Sequence, residues 1–240
     1  MCYSIFLSIY NIMKKKIAIL GSTGSIGKTT LDIISANKKI FKLILLSTHK
    51  NSKKIFLQAK KFKVKNIIIH DKETFLKFEK FFKKNKINIF NSVKDFKKKN
   101  KSKINYVMSA ITGIDGLKPT LDIINITDEI AIANKESIIC GWNLISKELK
   151  KYKTKFIPVD SEHFSISKLI QYEKNSNIKK IYITASGGPF LEMNNKKMSH
   201  FNPKNAIKHP TWKMGKKISI DSATLINKIF ELIEAKKIFN

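Results

Sequence analysis

The short run KIAIL at 16–20, followed without a gap by GSTGSIG at 21–27, restricts the fold more than any other part of this chain. An apolar run of that length reads as a strand buried on both faces. Gly21, Gly24 and Gly27 then stand in G-x-x-G-x-x-G spacing, ahead of a helical stretch at about 28–37. Missing side chains let a backbone turn tightly and approach a pyrophosphate, and the helix start supplies amide donors. A plain tight turn is the structural alternative. The mononucleotide P-loop is the chemical one: GKT at 27–29 fits it, but Ser22 stands where that pattern needs glycine.

The same alternation continues down the chain. Apolar runs at 42–47, 66–70, 104–110, 129–134 and 155–160 read as strands, with a weaker one at 87–90. Helical patterns fall between them at 53–62, 72–84, 116–124 and 142–151, and Pro119 is tolerated only in a first helical turn. Phe75, Phe78, Phe81 and Phe82 share the apolar side of the helix at 72–84 and read as core. Strands alternating with helices of this length indicate a parallel sheet with crossovers. The fold class is therefore α/β, with a mostly parallel sheet.

After residue 160 the character shifts. An amphipathic helix is expected at 161–172, a strand at 178–186, and a segment without clear periodicity at 191–202. The stretch KISIDSATLINKIFELIEA at 217–235 reads as a short strand, Ile218 to Ile220, running into a helix capped by Ser222. Ser222, Asn227 and Lys228 place a hydroxyl, an amide and an ammonium near one helix start, which suits a phosphate. Glu231 and Glu234, three apart, share a side of that helix. A solvated amphipathic face is the other reading.

Composition narrows the function classes. The chain of 240 residues carries 47 basic and 18 acidic side chains, a net charge of +29, and every basic residue is lysine. Base readout draws on arginine, so the lysine excess reads as a compositional bias, and no specific nucleic-acid partner is expected. Two cysteines, Cys2 and Cys140, make no disulfide framework and fit a reducing, cytoplasmic setting. The apolar stretch at 1–12 is too short to span a bilayer and lacks a cleavage signal, so no membrane partner is expected and Met13 is the expected natural start.

Two positions speak to ligands. No carboxylate closes the second strand; Ser47, Thr48, His49, Lys50 and Asn51 stand there instead. Lys50 and Asn51 suit a 2′-phosphate, which favours NADPH over NADH. Asp160 and Glu162 flank Ser161 at the end of a strand, where residues two apart point to one side. Two carboxylates aimed together call for a cation such as Mg²⁺ or Mn²⁺, with Glu231 as a third ligand. A charged loop capping the next helix is the alternative. Trp212 and Met214 lie in a loop that could close over a ligand or simply anchor itself.

Seven stretches together resemble the 1-deoxy-D-xylulose 5-phosphate reductoisomerase family: GSTGSIG (21–27), TGIDGLKPTL (112–121), ANKES (133–137), PVDSEH (158–163), SGGPF (186–190), HPTWKMG (209–215) and KISIDSATLINKIFELIEA (217–235). The resemblance implies a Rossmann-like NADPH-binding domain, here 13–158, followed by a partial α+β catalytic domain, here 159–240. It implies that Thr23, Gly24, Ser25, Ile26, Lys50, Asn51, Asn134, Glu136 and Gly215 contact the cofactor. Asp160, Glu162 and Glu231 would hold Mg²⁺ or Mn²⁺, with Co²⁺ a further option. Lys135, Ser161, Glu162, Ser186, His209, Trp212, Ser222, Asn227, Lys228 and Glu231 would contact a small phosphorylated sugar. Lys135, Asp160, Glu162 and Glu231 would be the catalytic set.

The implied reaction rearranges 1-deoxy-D-xylulose 5-phosphate by retro-aldol cleavage and re-addition. Hydride from NADPH then gives 2-C-methyl-D-erythritol 4-phosphate, in non-mevalonate isoprenoid biosynthesis. A homodimer is implied for the full-length enzyme. The sequence departs from the family pattern at His49, Thr211 and Ile229, none of them an implied ligand. The second part ends at Asn240 without a glycine cap or a following strand, so a fragment of low activity on its own is expected. Another NADPH-dependent oxidoreductase, an inactive cofactor-binding fragment and a basic nucleic-acid-binding module are the alternatives.

Overall fold

Seven strands form one sheet in the order β4-β3-β2-β1-β5-β6-β7. They are β1 (Lys15–Leu20), β2 (Phe41–Thr48), β3 (Asn66–Ile69), β4 (Asn88–Phe90), β5 (Ile104–Ser109), β6 (Thr127–Ile132) and β7 (Lys155–Pro158). Pairing from β4 through to β6 is parallel throughout. The structure, a computed structural model, describes residues 14–171, 178–185, 188–191, 202–207 and 215–240.

Crossover helices follow the strands: α1 (Ser25–Ala36), α2 (Ser52–Lys61), α3 (Lys72–Lys84), α4 (Val93–Lys99), α5 (Leu117–Ile124) and α6 (Lys135–Tyr152). Strands covered by helices on both faces must be apolar on both. Ile17, Ile19, Leu46, Ile55, Ile67 and Phe82 accordingly lie in one buried cluster. Of the four phenylalanines read as core on α3, Phe82 is buried and Phe75 and Phe78 pack against the cluster. Phe81 is largely exposed, although its ring meets Phe56 at 4.9 Å between centroids.

Local chemistry sets the helix starts. Asn51, Asp71 and Ser92 each accept a hydrogen bond from the backbone amide three residues on, at 3.0, 2.9 and 3.2 Å. The Ser92 cap opens α4, which the polar, lysine-rich surroundings conceal in the sequence; Val93 and Phe96 are its buried face. Helix α1 begins at Ser25, three residues before the expected start, and α6 begins at Lys135, seven before. Pro119 lies in the first turn of α5, where its missing N–H costs nothing.

By its contacts the chain divides into two compact units. The first holds the described residues up to Asn134 together with Asn143–Ile157; the second holds Lys135–Trp142 and the described residues from Pro158 to Asn240.

In the second unit the described regular elements after β7 are helical: α7 (Ser161–Ile170), α8 (Pro203–Ala206), α9 (Lys216–Ala223) and α10 (Ile226–Phe239). Two expected strands do not form there. Residues 178–185 have no regular structure, and Ile181 and Tyr182 are exposed; a strand needs a ladder partner, and none faces them among the described residues. Ile218 to Ile220 are helical within α9. The alternation is inverted: Ser219 is buried and returns its hydroxyl to the Gly215 carbonyl at 3.1 Å, while Ile218 and Ile220 face outward. Ser222 consequently sits in the last turn of α9 and caps nothing; α10 starts after Leu225, at φ +60°. No helix among the described residues is long and apolar enough to cross a membrane.

Candidate functional site

In the first unit the polar groups gather at the carboxyl ends of β1, β2 and β5. Strand order reverses between β1 and its two neighbours, which is where open α/β sheets take ligands. Gly21 turns the chain there with φ +83°, and a Cβ on it would lie 2.5 Å from the Ala110 carbonyl oxygen. A Cβ on Gly27 would lie 2.4 Å from the Gly21 oxygen, so α1 packs flat on the loop. Gly24 has space, its nearest neighbour being 3.5 Å away.

A second layer holds this loop. The Gly21 amide donates to Ser47 Oγ at 2.9 Å and the Ser22 amide to the Ser47 carbonyl at 2.8 Å. Gln58 on α2 closes a reciprocal pair with Ser22, donating to its carbonyl at 2.9 Å and accepting from its hydroxyl at 2.8 Å. Lys54 Nζ donates to the Thr23 carbonyl at 2.9 Å. The contact with Lys28, together with burial, holds the Lys54 pKa below the usual lysine value. No side chain caps α1, and its first turn carries no acidic residue. That leaves a helix start with amides and two nearby lysines, the chemistry of a pyrophosphate cradle.

A cavity of about 700 Å³ opens beside it, lined by Gly21, Thr23, Gly24, His49, His70 and Thr112 among others. Ser25 and Ile26 are exposed at the loop's outer side. Lys50 Nζ lies 3.5 Å from Asp71 Oδ2, and the Asn51 side chain is the cap of α2. Burial, and next the neighbouring His49, hold His70 down to about 4. Asn134 is buried and donates to the Ile111 and Gly113 carbonyls.

The acidic site lies wholly in the second unit. Asp160 ends the run out of β7 and occupies the N-cap position of α7, so Ser161 and Glu162 are already helical. The extended geometry expected for 160–162 is therefore absent, yet the two carboxylates still converge through the strand-to-helix turn. Asp160, Glu162 and Glu231 each bring an oxygen within 4.8 Å of the others. Glu231 is buried on α10 despite its charge.

Cations hold this cluster. Lys135, in the first turn of α6, donates to Asp160 Oδ2 and stands 3.2 Å from Glu231 Oε1. Lys228 pairs with Glu231 Oε2, lies 3.4 Å from Glu162 Oε1 and donates to the Thr184 carbonyl. Asn227 donates to Glu231 Oε1, and Ser161 Oγ donates to Glu162 Oε2 at 2.7 Å. Burial works against the Lys135 ammonium, but the Asp160 and Glu231 charges outweigh it and raise its pKa. Burial raises Asp160. Glu162 is held down at about 2: burial opposes its charge, and hydrogen bonds from Asp160 and Ser161 and the Lys228 charge overcome it.

The structure thus brings Lys135, Asp160, Glu162, Asn227, Lys228 and Glu231 together, with Ser161 at the edge. Ser222 lies in the last turn of α9, and Gly215 is the exposed N-cap residue of that helix. Glu136 is in the first turn of α6. Ser186, His209, Trp212 and Met214 lie outside the described residues. Two members were not foreseen as site residues. His163 and Glu234 are buried against the cluster. Each is three positions from an expected ligand, His163 from Asp160 and Glu234 from Glu231, and that helical spacing was the available signal. Burial, then the Asp160 charge, push Glu234 up to about 8.

Comparison with known proteins bears on both clusters. A family model described as 1-deoxy-D-xylulose 5-phosphate reductoisomerase matches residues 17–141, and one described as the C-terminal domain of the same enzyme matches 156–239. The 1-deoxy-D-xylulose 5-phosphate reductoisomerase of Pelagibacter ubique is 59% identical over 228 residues, covering 94% of this chain and 59% of the relative. That of Clostridium novyi is 44% identical over 229 residues, covering 94% and 60%. The chain thus spans about three-fifths of the length of the curated relatives it matches. Among solved structures, the Zymomonas mobilis enzyme in complex with NADPH is similar with a TM-score of 0.82 and 33% identity, over 95% of this chain and 58% of that one. A DOX-P reductoisomerase in complex with NADPH, fosmidomycin and magnesium gives 0.83 and 32%, over 94% and 58%.

Proposed function

We propose, for a chain that belongs to the 1-deoxy-D-xylulose 5-phosphate reductoisomerase family, that it serves the NADPH-dependent conversion of 1-deoxy-D-xylulose 5-phosphate to 2-C-methyl-D-erythritol 4-phosphate in isoprenoid precursor synthesis. Residues 13–158 form the cofactor domain in this reading and 159–240 the catalytic part. The setting is cytoplasmic and the full-length enzyme a homodimer. The observation that carries the proposal is the meeting of Asp160, Glu162 and Glu231, whose ligand atoms lie within 4.8 Å of one another.

The donor set suits the cation. All three ligands are carboxylate oxygens, which favour Mg²⁺ or Mn²⁺, with Co²⁺ also accommodated. Asp160 Oδ1 is buried without a hydrogen-bond partner, and only two lysines face the three carboxylates of the set. When bound there, the ion supplies Lewis-acid polarisation of a substrate oxygen. The glycine loop suits NADPH, which supplies the hydride when bound. Thr23, Gly24, Ser25 and Ile26 offer backbone and hydroxyl groups to its pyrophosphate, and Lys50 and Asn51 its 2′-phosphate partners. Asn134, Glu136 and Gly215 complete the cofactor contacts in this reading.

The protein's own groups orient and charge the site. Lys135 is held protonated by its carboxylate neighbours, so it can donate to a developing oxyanion. Lys228 and Asn227 stand in the first turn of α10, where amide dipoles add to the attraction for a phosphate. Ser161, Ser186, Ser222, His209 and Trp212 are the further substrate contacts. A phosphate gripped away from the reacting carbons orients them and supports closure over the substrate.

Calorimetric titration tests this. 1-Deoxy-D-xylulose 5-phosphate should bind only with Mn²⁺ present, and Glu231→Gln should abolish that binding while NADPH still binds. Equal binding with and without Mn²⁺ would overturn the proposal.

A further inference from the structure

Beside the three-carboxylate set lies a second one that shares a single residue with it. Asp160, His163 and Glu234 each offer an atom within 4.8 Å of the other two. Each of these residues has a buried atom without a hydrogen bond: Asp160 Oδ1, His163 Nδ1 and Glu234 Oε2. His163 is fully buried, and Glu234 is 2% exposed. Leaving three such atoms unsatisfied in one place is costly unless something fills the space between them.

The tautomer of His163 is fixed by its other nitrogen. Nε2 lies 2.9 Å from the Glu231 carbonyl oxygen, which can only accept. Nε2 therefore carries a proton, and Nδ1 faces Glu234 Oε2 at 3.5 Å and Asp160 Oδ1 at 3.8 Å. A histidine that donates its remote N–H to a backbone carbonyl is oriented as metal-binding histidines are. Bonds of about 2.0–2.2 Å in a tetrahedral site separate donor atoms by roughly 3.3–3.6 Å, close to the spacing here. Asp160 points its two oxygens in different directions, Oδ2 to Lys135 and Oδ1 to His163.

We propose that Asp160, His163 and Glu234 form a second metal site, with one imidazole nitrogen and two carboxylate oxygens, suited to Zn²⁺ or Co²⁺. The carboxylate of Asp160 joins it to the three-carboxylate site. The mixed nitrogen and oxygen donors distinguish the two: imidazole suits the later transition metals, and an all-oxygen set suits Mg²⁺ and Mn²⁺. The second ion locks α7 to α10 from within.

Co²⁺ is the probe. The chain is freed of metal with a chelator and dialysed against Co²⁺, then bound ions are counted and the visible spectrum recorded. Two ions per chain are expected, one of them giving the intense bands of a four-coordinate site. His163→Gln and Glu234→Gln should each lose one ion and those bands, with far-UV circular dichroism confirming that each variant is folded. Glu231→Gln should keep the bands, because Glu231 supplies no side-chain ligand to this site. A single ion per chain, or bands that persist in His163→Gln, would overturn the proposal. Bands kept alongside a failure of sugar-phosphate binding would uphold this site while removing the enzymatic reading alone.

Discussion

The Lys135 ammonium stands 3.2 Å from Glu231 Oε1, across 96 positions of sequence; Glu231 is buried and Lys135 largely so. Removing one partner of such a pair strands the other. We expect Lys135→Met to lower stability by about 3 kcal/mol at neutral pH without divalent ions, measured by urea unfolding. Saturating Mn²⁺ should recover part of the loss, because it supplies positive charge to the same carboxylates. An unchanged midpoint in the metal-free variant would contradict the pairing.

Glu231→Gln keeps the shape of the side chain and removes its charge. Mn²⁺ affinity should fall by at least about a hundredfold, the upper end of what changes around a ligand cost. NADPH affinity should change by less than about twofold, since the residues assigned to its phosphates share no partner with Glu231. Calorimetry with each ligand in turn reads both.

The three loop glycines should not behave alike. Gly27→Ala drives a Cβ to 2.4 Å from the Gly21 oxygen and 2.6 Å from Ser22 Cα, both backbone. That should destabilise the chain by about 2–3 kcal/mol in thermal or urea unfolding. Gly24→Ala meets nothing closer than 3.5 Å and should leave stability unchanged. If it weakens NADPH binding all the same, the pyrophosphate occupies that space.

His70 makes stability depend on pH. Its folded pKa, about 4, lies below the ordinary 6.5, so the folded state resists the proton that the unfolded chain accepts. The contribution is complete above 6.5 and is lost as pH falls towards 4, amounting to about 3 kcal/mol. His70→Asn should flatten the urea-unfolding midpoint between those values.

Lys50 carries the cofactor preference. Lys50→Ala should weaken NADPH binding about tenfold and leave NADH nearly unaffected, as loss of a charge-assisted bond to a phosphate predicts. Fluorescence titration with both nucleotides decides this. An equal loss for both would place Lys50 away from the 2′-phosphate.

The first unit was largely legible because its signals are local and mutually consistent. Apolar runs such as IIIH at 67–70 and the glycine spacing at 21–27 each identify an element and its neighbour. Helix α4 was missed because Ser92 and Asp95 form a capping pair inside a lysine-rich stretch that reads as loop. The second unit was harder. Isoleucines at 218 and 220 alternate as in a strand, but tertiary context buries Ser219 and turns the backbone helical. Asp160 and Glu162 were found for a reason that does not hold: they converge by a cap and a helical turn, not by strand alternation. The buried pairing of His163 with Glu234 joins two helices, and no periodicity within either one displays it.

The bonds from Ser47, Gln58 and Lys54 fasten the glycine loop to β2 and α2. A guest arriving there meets a rigid mould, so little disorder remains to be surrendered on docking. Capture should then run near the encounter limit, with discrimination between nucleotides expressed in how long each one stays.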